Sequence, residues 1–383
     1  MSLISAFFNL DEKVFFCTIM LRSSTLPFLS ITVKNYRNLA DRILDVAYPE
    51  VFLIGKNGQG KTNLLDAIYL LAYGNSFRTK SDTELYKKGN DSFFVSGLFR
   101  ERENVSHTVT VYSKQRKKEI TKNAKKIADR KELVTTIPCI IFCHSDIEFA
   151  NGEMQKRRFF LDQTLSLYNA EYIDLLRSFN KILKIRNTVL KNRQASLLDS
   201  VDIQFAQAGL EIVQRREALI REINRLFTGF YKTISDIDEV RLEYRTGWKE
   251  KTIDAVLAYL QERRPHDLEF GMTMSGPQRD KIHYVQGGSL FIPHASTGQV
   301  RLISLVLRAV QAQWYAEKTK RKPVLLLDDV LLELDPEKKI KFTRMLPEYD
   351  QLFCTFLPGE PIENYRRENT KVYYVEDGAF LDE

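Results

Sequence analysis

The chain has 383 residues, of which 44% are hydrophobic and 28% are charged, and its net charge is +7. This length allows a large buried core divided between two units, and this composition is ordinary for a soluble globular protein. The basic excess suits a polyanionic partner, while the four cysteines show no paired metal spacing and are expected to be thiols in a reducing cytosol.

The first residues are predicted to lie outside the fold. Asp11, Glu12 and Lys13 interrupt the apolar stretches there, so that none approaches the roughly twenty residues that a membrane-spanning helix needs. The basic start and the small-residue cleavage site of a secretory signal are also lacking. We therefore expect residues 1–25 to be an N-terminal extension, with Met20 as an alternative first residue, and the protein to be cytoplasmic with no membrane partner.

Residues 26–150 are predicted to form the first part of an α/β lobe. The stretch from Leu26 to Ile54 has a strand pattern, and "NLLDAIYLLAYG" after it has helical spacing that ends at Gly74, a suitable C-cap. Further on, "SFFVSGLFR" and "HTVTVYSK" alternate in twos, which is typical of the strands of a hairpin.

A basic run follows the hairpin. Between Lys114 and Lys131 the chain carries nine lysines and arginines against only Glu119 and Asp129. Phosphate contacts from such a run would give a salt-sensitive, largely sequence-independent affinity for DNA. The run contains no aromatic residue, so base stacking on single strands is not indicated there, and a solubilising hairpin face is the alternative. The DNA-binding candidates are Lys117, Lys118, Lys122, Lys125 and Lys126.

Residues 151–265 are predicted to form a helical arm. From Leu161 onward apolar residues recur at helical, nearly heptad spacing, and after a break around "KNRQASLLDS" the pattern resumes at Ile212. We expect two helices of about 30 residues each, folded back as a hairpin roughly 45 Å long. Beyond Pro265 the pattern returns to strands and short helices, and residues 266–383 are predicted to complete the α/β lobe, which the motifs described next make an ATPase lobe.

The stretch "GKNGQGKTN" matches the phosphate-loop pattern G-x-x-x-x-G-K-[ST]. Its glycines allow backbone N–H groups to turn toward an anion, and the next helix directs its positive dipole end to the same point. Lys61 is expected to reach the β- and γ-phosphates of ATP, and Thr62 to bind Mg²⁺. A tight strand-to-helix turn without a ligand is the alternative. The predicted ATP-binding residues are Gly55, Lys56, Asn57, Gly58, Gln59, Gly60, Lys61, Thr62 and Asn63.

The apolar run "VLLLDDV" predicts a buried strand that ends at Asp328 and Asp329. In open α/β sheets ligands gather at the carboxyl ends of the strands. Asp328 suits Mg²⁺ coordination, and Asp329 is placed to polarise an attacking water, so we assign Asp329 and Lys61 as the catalytic residues. Two carboxylates at a solvated strand end are the alternative.

A third motif, "ASTGQVR", stands before an amphipathic helical pattern. Ser296, Gly298 and Gln299 fall at the predicted helix N-terminus, which is a ready anion-binding end. The alternative is that Ser296 is simply a helix N-cap.

Several stretches together resemble one known family. They are "VKNYRNL", "GKNGQGKTNLLDAIYLLAYGNSFRT", "KRRFFLDQTLSLYNAEYIDLLRSFNKILKIRN", "SGPQRD", "ASTGQVR" and "LLLDDVLLELD". From about Leu26 to its end the chain resembles the RecF family of bacterial ABC-type ATPases related to SMC proteins. The resemblance implies an α/β fold, an ABC-type ATPase head with a P-loop mixed sheet that is interrupted by an inserted α-helical hairpin arm.

The resemblance also implies a function. Members are ATP-dependent DNA-binding proteins of recombinational repair and replication restart that use ATP and Mg²⁺. Two subunits form a homodimer around bound ATP, hold duplex DNA near single-strand gaps, and with RecR and RecO help to load recombinase. Slow, DNA-stimulated hydrolysis then releases them.

By the same resemblance, Asp328 is the Walker B aspartate, and Asp329 stands where most ABC enzymes have a catalytic glutamate. Ser296, Gly298, Gln299 and Asp335 are expected to contact the ATP of the opposite subunit. The chain departs from the family pattern at Leu332, where serine is usual, and in "CHSDIEF", which keeps Asp146 but leaves its role in sensing Mg²⁺ in doubt.

Two other functions remain open. A nucleotide-binding subunit of a transporter would carry a switch histidine where this chain has Thr355, and it would have no long arm. A structural, SMC-like DNA-bridging ATPase would need a longer arm, with a hook of paired cysteines that is not evident here. ATP turnover with and without duplex DNA distinguishes these functions from a repair switch.

Overall fold

The computed structural model describes residues 27–102 and 105–383. The predicted extension at residues 1–25 and the alternative start at Met20 lie outside the described residues. The chain divides into two units: the first comprises the described residues up to His144 with Lys320–Asp335 and Pro347–Glu383, and the second comprises Ser145–Thr319 with Pro336–Leu346.

The α-helices are numbered in chain order. They are α1 (Lys61–Tyr73), α2 (Lys131–Thr136), α3 (Glu148–Asn151), α4 (Met154–Tyr168), α5 (Ala170–Lys191), α6 (Leu198–Ser235), α7 (Ile253–Phe270), α8 (Thr297–Thr319) and α9 (Pro336–Arg344). Within the part of the chain that the structure describes, no helix combines the length and the apolar character needed to cross a bilayer.

The strands are numbered in the same way. They are β1 (Phe28–Lys34), β2 (Arg42–Asp45), β3 (Glu50–Ile54), β4 (Ser92–Arg102), β5 (Val105–Lys114), β6 (Lys117–Lys122), β7 (Lys125–Lys126), β8 (Cys139–Phe142), β9 (Arg241–Arg245), β10 (Lys281–Gln286), β11 (Ser289–Leu290), β12 (Val324–Leu327), β13 (Gln351–Phe356), β14 (Thr370–Glu376) and β15 (Ala379–Asp382).

The first unit contains a mostly parallel sheet in the order β15-β14-β3-β13-β12-β8. The strands from β14 to β8 pair in parallel, and β15 adds an antiparallel edge. Strands β3, β8, β12 and β13 are buried at every position, as expected for continuous apolar runs covered on both faces. The predictions of strands at "VFLI", "VLLL" and "QLFCTF" are therefore confirmed, and all their carboxyl ends lie on one edge.

The same unit contains an antiparallel sheet in the order β2-β1-β4-β5-β6-β7. The predicted hairpin is formed by β4 and β5, and the basic run continues it as β6 and β7. Helix α1 packs into the hydrophobic core of the unit through residues such as Leu64, Ile68 and Leu71. It ends at Gly74, which adopts φ 71° and donates its N–H to the Leu70 carbonyl, so the predicted C-cap is confirmed.

The second unit is largely helical and differs in two ways from the predicted pair of 30-residue helices. The first limb is broken at Asn169, whose side chain accepts a hydrogen bond from the Glu171 N–H and caps α5. It therefore forms two helices of 15 and 22 residues, whereas the second limb is a single helix of 38 residues. The prediction of equal helices was wrong because a cap within the apolar pattern outweighed its continuity.

The helical pattern was predicted to end at Pro265, but it continues beyond this residue. Helix α7 continues through it to Phe270. A proline inside a helix costs about 3 kcal/mol because it loses a hydrogen bond and crowds the preceding turn. Ion pairs on both sides of it hold the helix, since Arg264 contacts Asp202 at 3.0 Å and Asp267 contacts Arg186 at 2.7 Å.

The unit boundaries also lie at other positions than the predicted domain boundaries. The second unit begins at Ser145, and it includes α8, which had been placed in the second part of the ATPase lobe. Helix α8 is buried around most of its circumference, so it is a core helix of this unit, with exposed residues only in its first turn and at Lys318. The functional division at residues 151 and 265 stays a prediction.

Candidate nucleotide site at the carboxyl edge of the parallel sheet

The glycine loop connects β3 to α1 at the carboxyl edge of the parallel sheet. Gly58 and Gly60 adopt φ values of 81° and 119°, which residues with a Cβ rarely adopt. A Cβ at Gly55 would lie 2.4 Å from the Val375 carbonyl oxygen of β14, so only glycine fits that close approach. Within the described chain, the backbone N–H groups of Gly58, Gly60 and Lys61 have no acceptor. The loop therefore presents free donors at a helix N-terminus, which suits an anion.

Lys61 is the one buried lysine of this loop, with 3% of its surface exposed. Its ammonium nitrogen donates to the Gly55 carbonyl at 2.5 Å and to the Lys56 carbonyl at 3.4 Å, and it lies 3.9 Å from Asp329 Oδ1. Two carbonyl oxygens and a carboxylate thus contact the Lys61 ammonium group, which would bind phosphate oxygens more strongly. Lys61 is positioned to act on a ligand in the loop.

Thr62 and Asp328 meet at the same edge although they lie 266 residues apart in the chain. The Thr62 hydroxyl donates to Asp328 Oδ1 at 2.7 Å. Burial, with a smaller contribution from the neighbouring Asp329 charge, raises the pKa of Asp328 to about 6. A carboxylate that is costly to keep charged, beside a hydroxyl oxygen, is a suitable ligand set for a hard cation such as Mg²⁺.

Asp329 is held by Thr355, a contact that sequence analysis missed. The Thr355 hydroxyl donates to Asp329 Oδ1 at 2.8 Å and accepts the Asp329 backbone N–H at 2.7 Å. These bonds stabilise Asp329 in a left-handed conformation, φ 53°, that is unfavourable for a residue with a side chain. Thr355 had been noted only for replacing a switch histidine, but its buried position at the end of β13 makes it a positioning residue.

Lys61, Thr62 and Asp329 line a cleft of about 450 Å³. Residues of the loop and Asp329 form part of its wall, and the remainder comes from four residues that were not predicted: Arg37, Asn38, Arg78 and Glu84. Asn38 donates to the Gly58 carbonyl at 3.0 Å, and Arg78 donates to Asn63 Oδ1 at 2.6 Å. The stretches "VKNYRNL" and "NSFRT", quoted above only as resemblances, therefore supply walls of the site.

A buried carboxylate joins those two stretches to α1. Asp66 has no exposed surface and accepts hydrogen bonds from the Tyr36 hydroxyl, the Arg37 guanidinium, the Ser76 hydroxyl and the Phe77 N–H, at 2.8 to 3.1 Å. A buried charge is tolerated only when it is paired and fully hydrogen-bonded, and here a cation and several neutral donors satisfy it. The first turns of α1 are thereby fixed relative to the cleft.

Gln59 fixes the outer part of the loop. Its side-chain oxygen accepts the Asp377 N–H at 2.5 Å, and its carbonyl accepts the Gly378 N–H at 2.8 Å. Lys56 and Asn57 are exposed and line the cleft opening. The structure thus brings Lys61, Thr62, Asp328 and Asp329 together, as predicted, with the rest of the loop around them.

The signature residues lie in the second unit, at the N-terminus of α8. Ser296 and Gln299 form a capping box: the Ser296 N–H donates to Gln299 Oε1 at 2.7 Å, and the Gln299 N–H donates to Ser296 Oγ at 3.3 Å. Ser296 and Gly298 are exposed, and a Cβ at Gly298 would meet only Ser296 Oγ, at 4.0 Å. The simple N-cap is therefore real, and it leaves one face of the helix end open.

Asp335 and Leu332 lie in the first unit, after the single helical turn Val330–Glu333 that follows Asp329. Both are exposed, whereas Leu331 and Leu334 are buried. The role of the "CHSDIEF" segment in sensing Mg²⁺ was already in doubt from its sequence. Asp146 is buried in the second unit and pairs with Arg308 of α8 at 2.7 Å, so its visible role is to anchor that helix.

The five lysines nominated for DNA do not share one environment. Lys118 pairs with Asp82 at 2.8 Å, and Lys122 donates to the Thr136 hydroxyl at 2.9 Å and lies 3.9 Å from Glu132. Lys117, Lys125 and Lys126 are exposed on β6 and β7. These three are the more available contacts for a phosphate backbone.

Comparison with known proteins gives consistent matches. The sequence profile of the RecF/RecN/SMC N terminal domain matches residues 28–380. The chain is 50% identical over 351 residues to the DNA replication and repair protein RecF of Treponema pallidum, covering 91% of this chain and 99% of that protein. It is 32% identical to the protein of the same name from Clostridium perfringens, covering 91% and 98%.

Solved structures agree. The structure of the recombination mediator protein RecF with ATP, from the RecFOR pathway, matches with a TM-score of 0.83 at 28% identity, covering 95% of this chain and 99% of that one. An Smc head bound to the C-winged helix domain of ScpA matches with a TM-score of 0.54 at 14% identity, over 93% and 98%. The second match shows the shared head fold alone.

Proposed function

The chain belongs to the RecF family of ATPases related to SMC proteins, and on that premise we propose that it is an ATP-dependent switch that binds duplex DNA in recombinational repair and replication restart. The observation that carries the proposal is that Lys61, Thr62 and Asp329 line one cleft beside a loop of free backbone donors, with Asp328 hydrogen-bonded to Thr62. The 50% identity to a DNA replication and repair protein over nearly the whole chain supports the cellular role.

In the proposed mechanism ATP enters the cleft with its phosphates on the loop. Lys61 exchanges its bonds with the Gly55 and Lys56 carbonyls for bonds with phosphate oxygens, which are charge-assisted and stronger. Thr62 and Asp328 would hold Mg²⁺, which supplies charge neutralisation at the phosphates when it is bound. The contacts of Asn38 and Gln59 keep the loop backbone in place during this exchange.

Hydrolysis needs a base that orients water toward the γ-phosphate. Asp329 is the candidate because it lines the cleft and is fixed by Thr355. An aspartate reaches less far than the glutamate of most ABC enzymes, so turnover is expected to be slow. Slow turnover fits a switch that is released by hydrolysis rather than a motor.

Dimerisation is proposed to complete the site. Ser296, Gly298 and Gln299 form an exposed helix end, and Asp335 is also exposed, so a second copy can bring these groups to the ATP that this copy holds. The ATP γ-phosphate would then join the two copies and shift a monomer–dimer equilibrium. The capping hydrogen bond of Ser296 is long, at 3.3 Å, and leaves its hydroxyl able to donate to phosphate.

DNA is proposed to contact the basic run Lys114–Lys131. Lys117, Lys125 and Lys126 would bind phosphates of duplex DNA near a single-strand gap, with Lys118 and Lys122 contributing less because each already has a partner. RecR and RecO are the proposed partners in loading recombinase on the gap. The pathway named for the solved ATP-bound relative supports this partnership.

The two rival functions are less well supported. For a transporter subunit, Thr355 binds Asp329 in the place of a switch histidine, and the identified relatives are repair proteins. For an SMC-like bridge, the longest arm helix has 38 residues and spans roughly 57 Å at 1.5 Å per residue, which is short for linking distant duplexes.

ATPase activity measured with and without duplex DNA tests the proposal on the wild type and on Lys61→Arg. We expect weak turnover that duplex DNA stimulates, and ATP-dependent retention of DNA. Both should fall at least tenfold in Lys61→Arg because an arginine cannot replace the compact ammonium among the loop carbonyls. Lys88→Arg, an exposed lysine outside the cleft, is the matched control. If neither DNA nor Lys61→Arg changes turnover or DNA retention, the proposal is wrong.

A further inference from the structure

The second unit contains a cleft of about 660 Å³ that the ATP mechanism does not use. We call it the arm cleft. The stretch "SGPQRD", which resembles the family but has had no role so far, forms one wall. The lining residues are Arg245, Thr246, Gly247, Tyr259, Met274, Ser275, Gly276, Arg279, Lys281 and His283.

The arm cleft is basic, and most of its charge is not neutralised. Among the residues that the structure describes, Arg279 and Lys281 have no carboxylate within ion-pair distance. Arg245 is paired, with Glu243 at 2.7 Å. Burial and then the nearby arginine charges lower the pKa of His283, so this residue adds no charge to the cleft at neutral pH. Unpaired cations gathered around a concavity attract an anionic ligand.

The wall of the arm cleft is rigid. Arg216 donates to the Pro277 carbonyl at 2.8 Å, and Arg158 donates to the Asp280 carbonyl at 2.6 Å. Gly276 adopts φ 109°, and a Cβ there would lie 2.9 Å from the Phe205 ring. A loop fixed by the buried Arg216, the half-buried Arg158 and a tight glycine loses little entropy when a ligand binds, so it is preorganised.

Buried polar groups in this wall lack a hydrogen-bond partner, and the Ser275 hydroxyl is one of them. Ser275 is 5% exposed and lines the cleft, and its hydroxyl has no hydrogen-bond partner among the described residues. An unsatisfied buried hydroxyl costs about 1–3 kcal/mol, a cost that a bound acceptor would remove. Half-buried Tyr259 and Met274 give the same cleft an aromatic and apolar surface.

We propose that the arm cleft binds one unstacked nucleotide of single-stranded DNA. Its phosphate would lie among Arg279, Lys281 and Arg245 and accept a hydrogen bond from Ser275, and its base would pack on Tyr259 and Met274. A positive groove combined with an aromatic platform is how proteins hold single strands without sequence preference.

The concave shape favours this ligand over duplex DNA. The bases of a duplex are stacked inside the helix and cannot enter a cleft, whereas a single strand can place one base in it. An acidic peptide would satisfy the cations but would make little use of the Tyr259 and Met274 surface. The basic run Lys114–Lys131, which contains no aromatic residue, would thus bind duplex DNA, and the arm cleft would bind single strands.

Binding of fluorescein-labelled oligo(dT) to the full chain without ATP tests the proposal by fluorescence anisotropy. Arg279→Glu/Lys281→Glu should weaken binding at least tenfold and reduce the slope of log affinity against log salt by about 0.7, because the contact with one phosphate is lost. Tyr259→Leu should weaken it about fivefold with no change in salt slope, since base stacking carries no charge. Free dTMP should compete weakly, and a polyglutamate peptide should not compete.

The matched control is Lys181→Glu/Lys184→Glu, which changes two exposed lysines of α5 by the same charge. It should alter oligo(dT) affinity less than twofold. Equal losses in the two double variants, unchanged affinity in Tyr259→Leu, or stronger competition by polyglutamate than by dTMP would each overturn the proposal. Loss of folding in the double variant, seen as a lowered Tm, leaves Tyr259→Leu to decide.

The site is independent of the ATP switch proposed above. ATP-dependent retention of blunt duplex should be the same in Arg279→Glu/Lys281→Glu as in the wild type. Failure of the arm cleft would thus appear only with single strands, and failure of the ATP switch only with nucleotide and duplex.

Discussion

The phosphate loop and the signature helix end are proposed to share one nucleotide, yet they are built in different ways. Lys61 is buried, and Thr62, Asp328 and Asp329 are held by hydrogen bonds between residues 26 to 266 positions apart. Ser296 is exposed, and among the described residues its side chain bonds only to Gln299, three residues away. A single subunit can therefore assemble the first part of the site, whereas the second part becomes useful only when it reaches a ligand held elsewhere.

The largest expected effect is on the buried part. Lys61→Ala should weaken ATP binding at least a hundredfold, because it removes a buried cation that faces the phosphates. Titration with a fluorescent ATP analogue measures the loss. Lys88→Ala, at an exposed lysine outside the cleft, is the control and should change affinity less than threefold. Equal effects in the two variants would mean that the loop does not hold phosphate through Lys61.

A substitution at the exposed helix end should lower ATP turnover without weakening ATP binding. Ser296→Arg should reduce DNA-stimulated turnover about a hundredfold, because its side chain blocks contact with the opposite ATP, while ATP affinity of the single subunit stays within threefold. Ser200→Arg serves as control, because Ser200 is another exposed serine in the first turn of a helix of the second unit, α6. A parallel loss of ATP affinity would place Ser296 in the site of its own subunit.

A smaller effect is expected from Thr355, which orients Asp329 and does not itself contact ATP in the proposed mechanism. Thr355→Val should lower turnover about tenfold with little change in ATP affinity, because Asp329 loses both hydrogen bonds that orient it. Thr355→Ser keeps the hydroxyl and should restore most of the rate. If Thr355→Ser is as slow as Thr355→Val, the hydroxyl does not position Asp329.

The smallest effect concerns stability. Burial raises the pKa of Asp328 from 3.8, its ordinary value, to about 6 in the folded chain. Between pH 3.8 and about 6, the folded chain therefore keeps a proton on Asp328 that the unfolded chain releases. Stability from this group therefore falls as pH rises from about 4 to about 6 and is lost above 6. Asp328→Asn in EDTA at pH 7.5 should be more stable by about 2 kcal/mol, and the difference should shrink toward pH 4.

Urea unfolding at the two pH values measures that difference. A stability gain of the same size at both pH values would show that the substitution acts through packing rather than through the buried charge. A loss of stability at pH 7.5 would contradict the raised pKa.

The contrast between local and distant contacts also explains what the sequence could predict. The phosphate loop, β12 and the cap at Gly74 follow from spacing and residue type within a short window, and the structure has them as expected. The roles of Asp66 and Thr355 depend on partners that no pattern joins. Resemblance marked the stretches that carry Tyr36 and Ser76, but it did not say that they meet one carboxylate.

The arm shows the same limit. Helical spacing predicted its helices, but the break at Asn169 depends on a single side-chain cap, and the continuation through Pro265 depends on ion pairs with α5 and α6. The arm cleft could not be predicted, since its lining comes from β9, β10, α7 and the loop before β10. Its signal in the sequence was only a stretch without an assigned role.

Light scattering after size exclusion, with and without ATP, tests the central claim most directly on Asp329→Asn, which should bind ATP but not hydrolyse it. The account predicts a monomer without nucleotide and a dimer with ATP, and it predicts a monomer in both conditions for Asp329→Asn/Ser296→Arg. A monomer of Asp329→Asn at saturating ATP, or an ATP-dependent dimer that persists with Ser296→Arg, would contradict it.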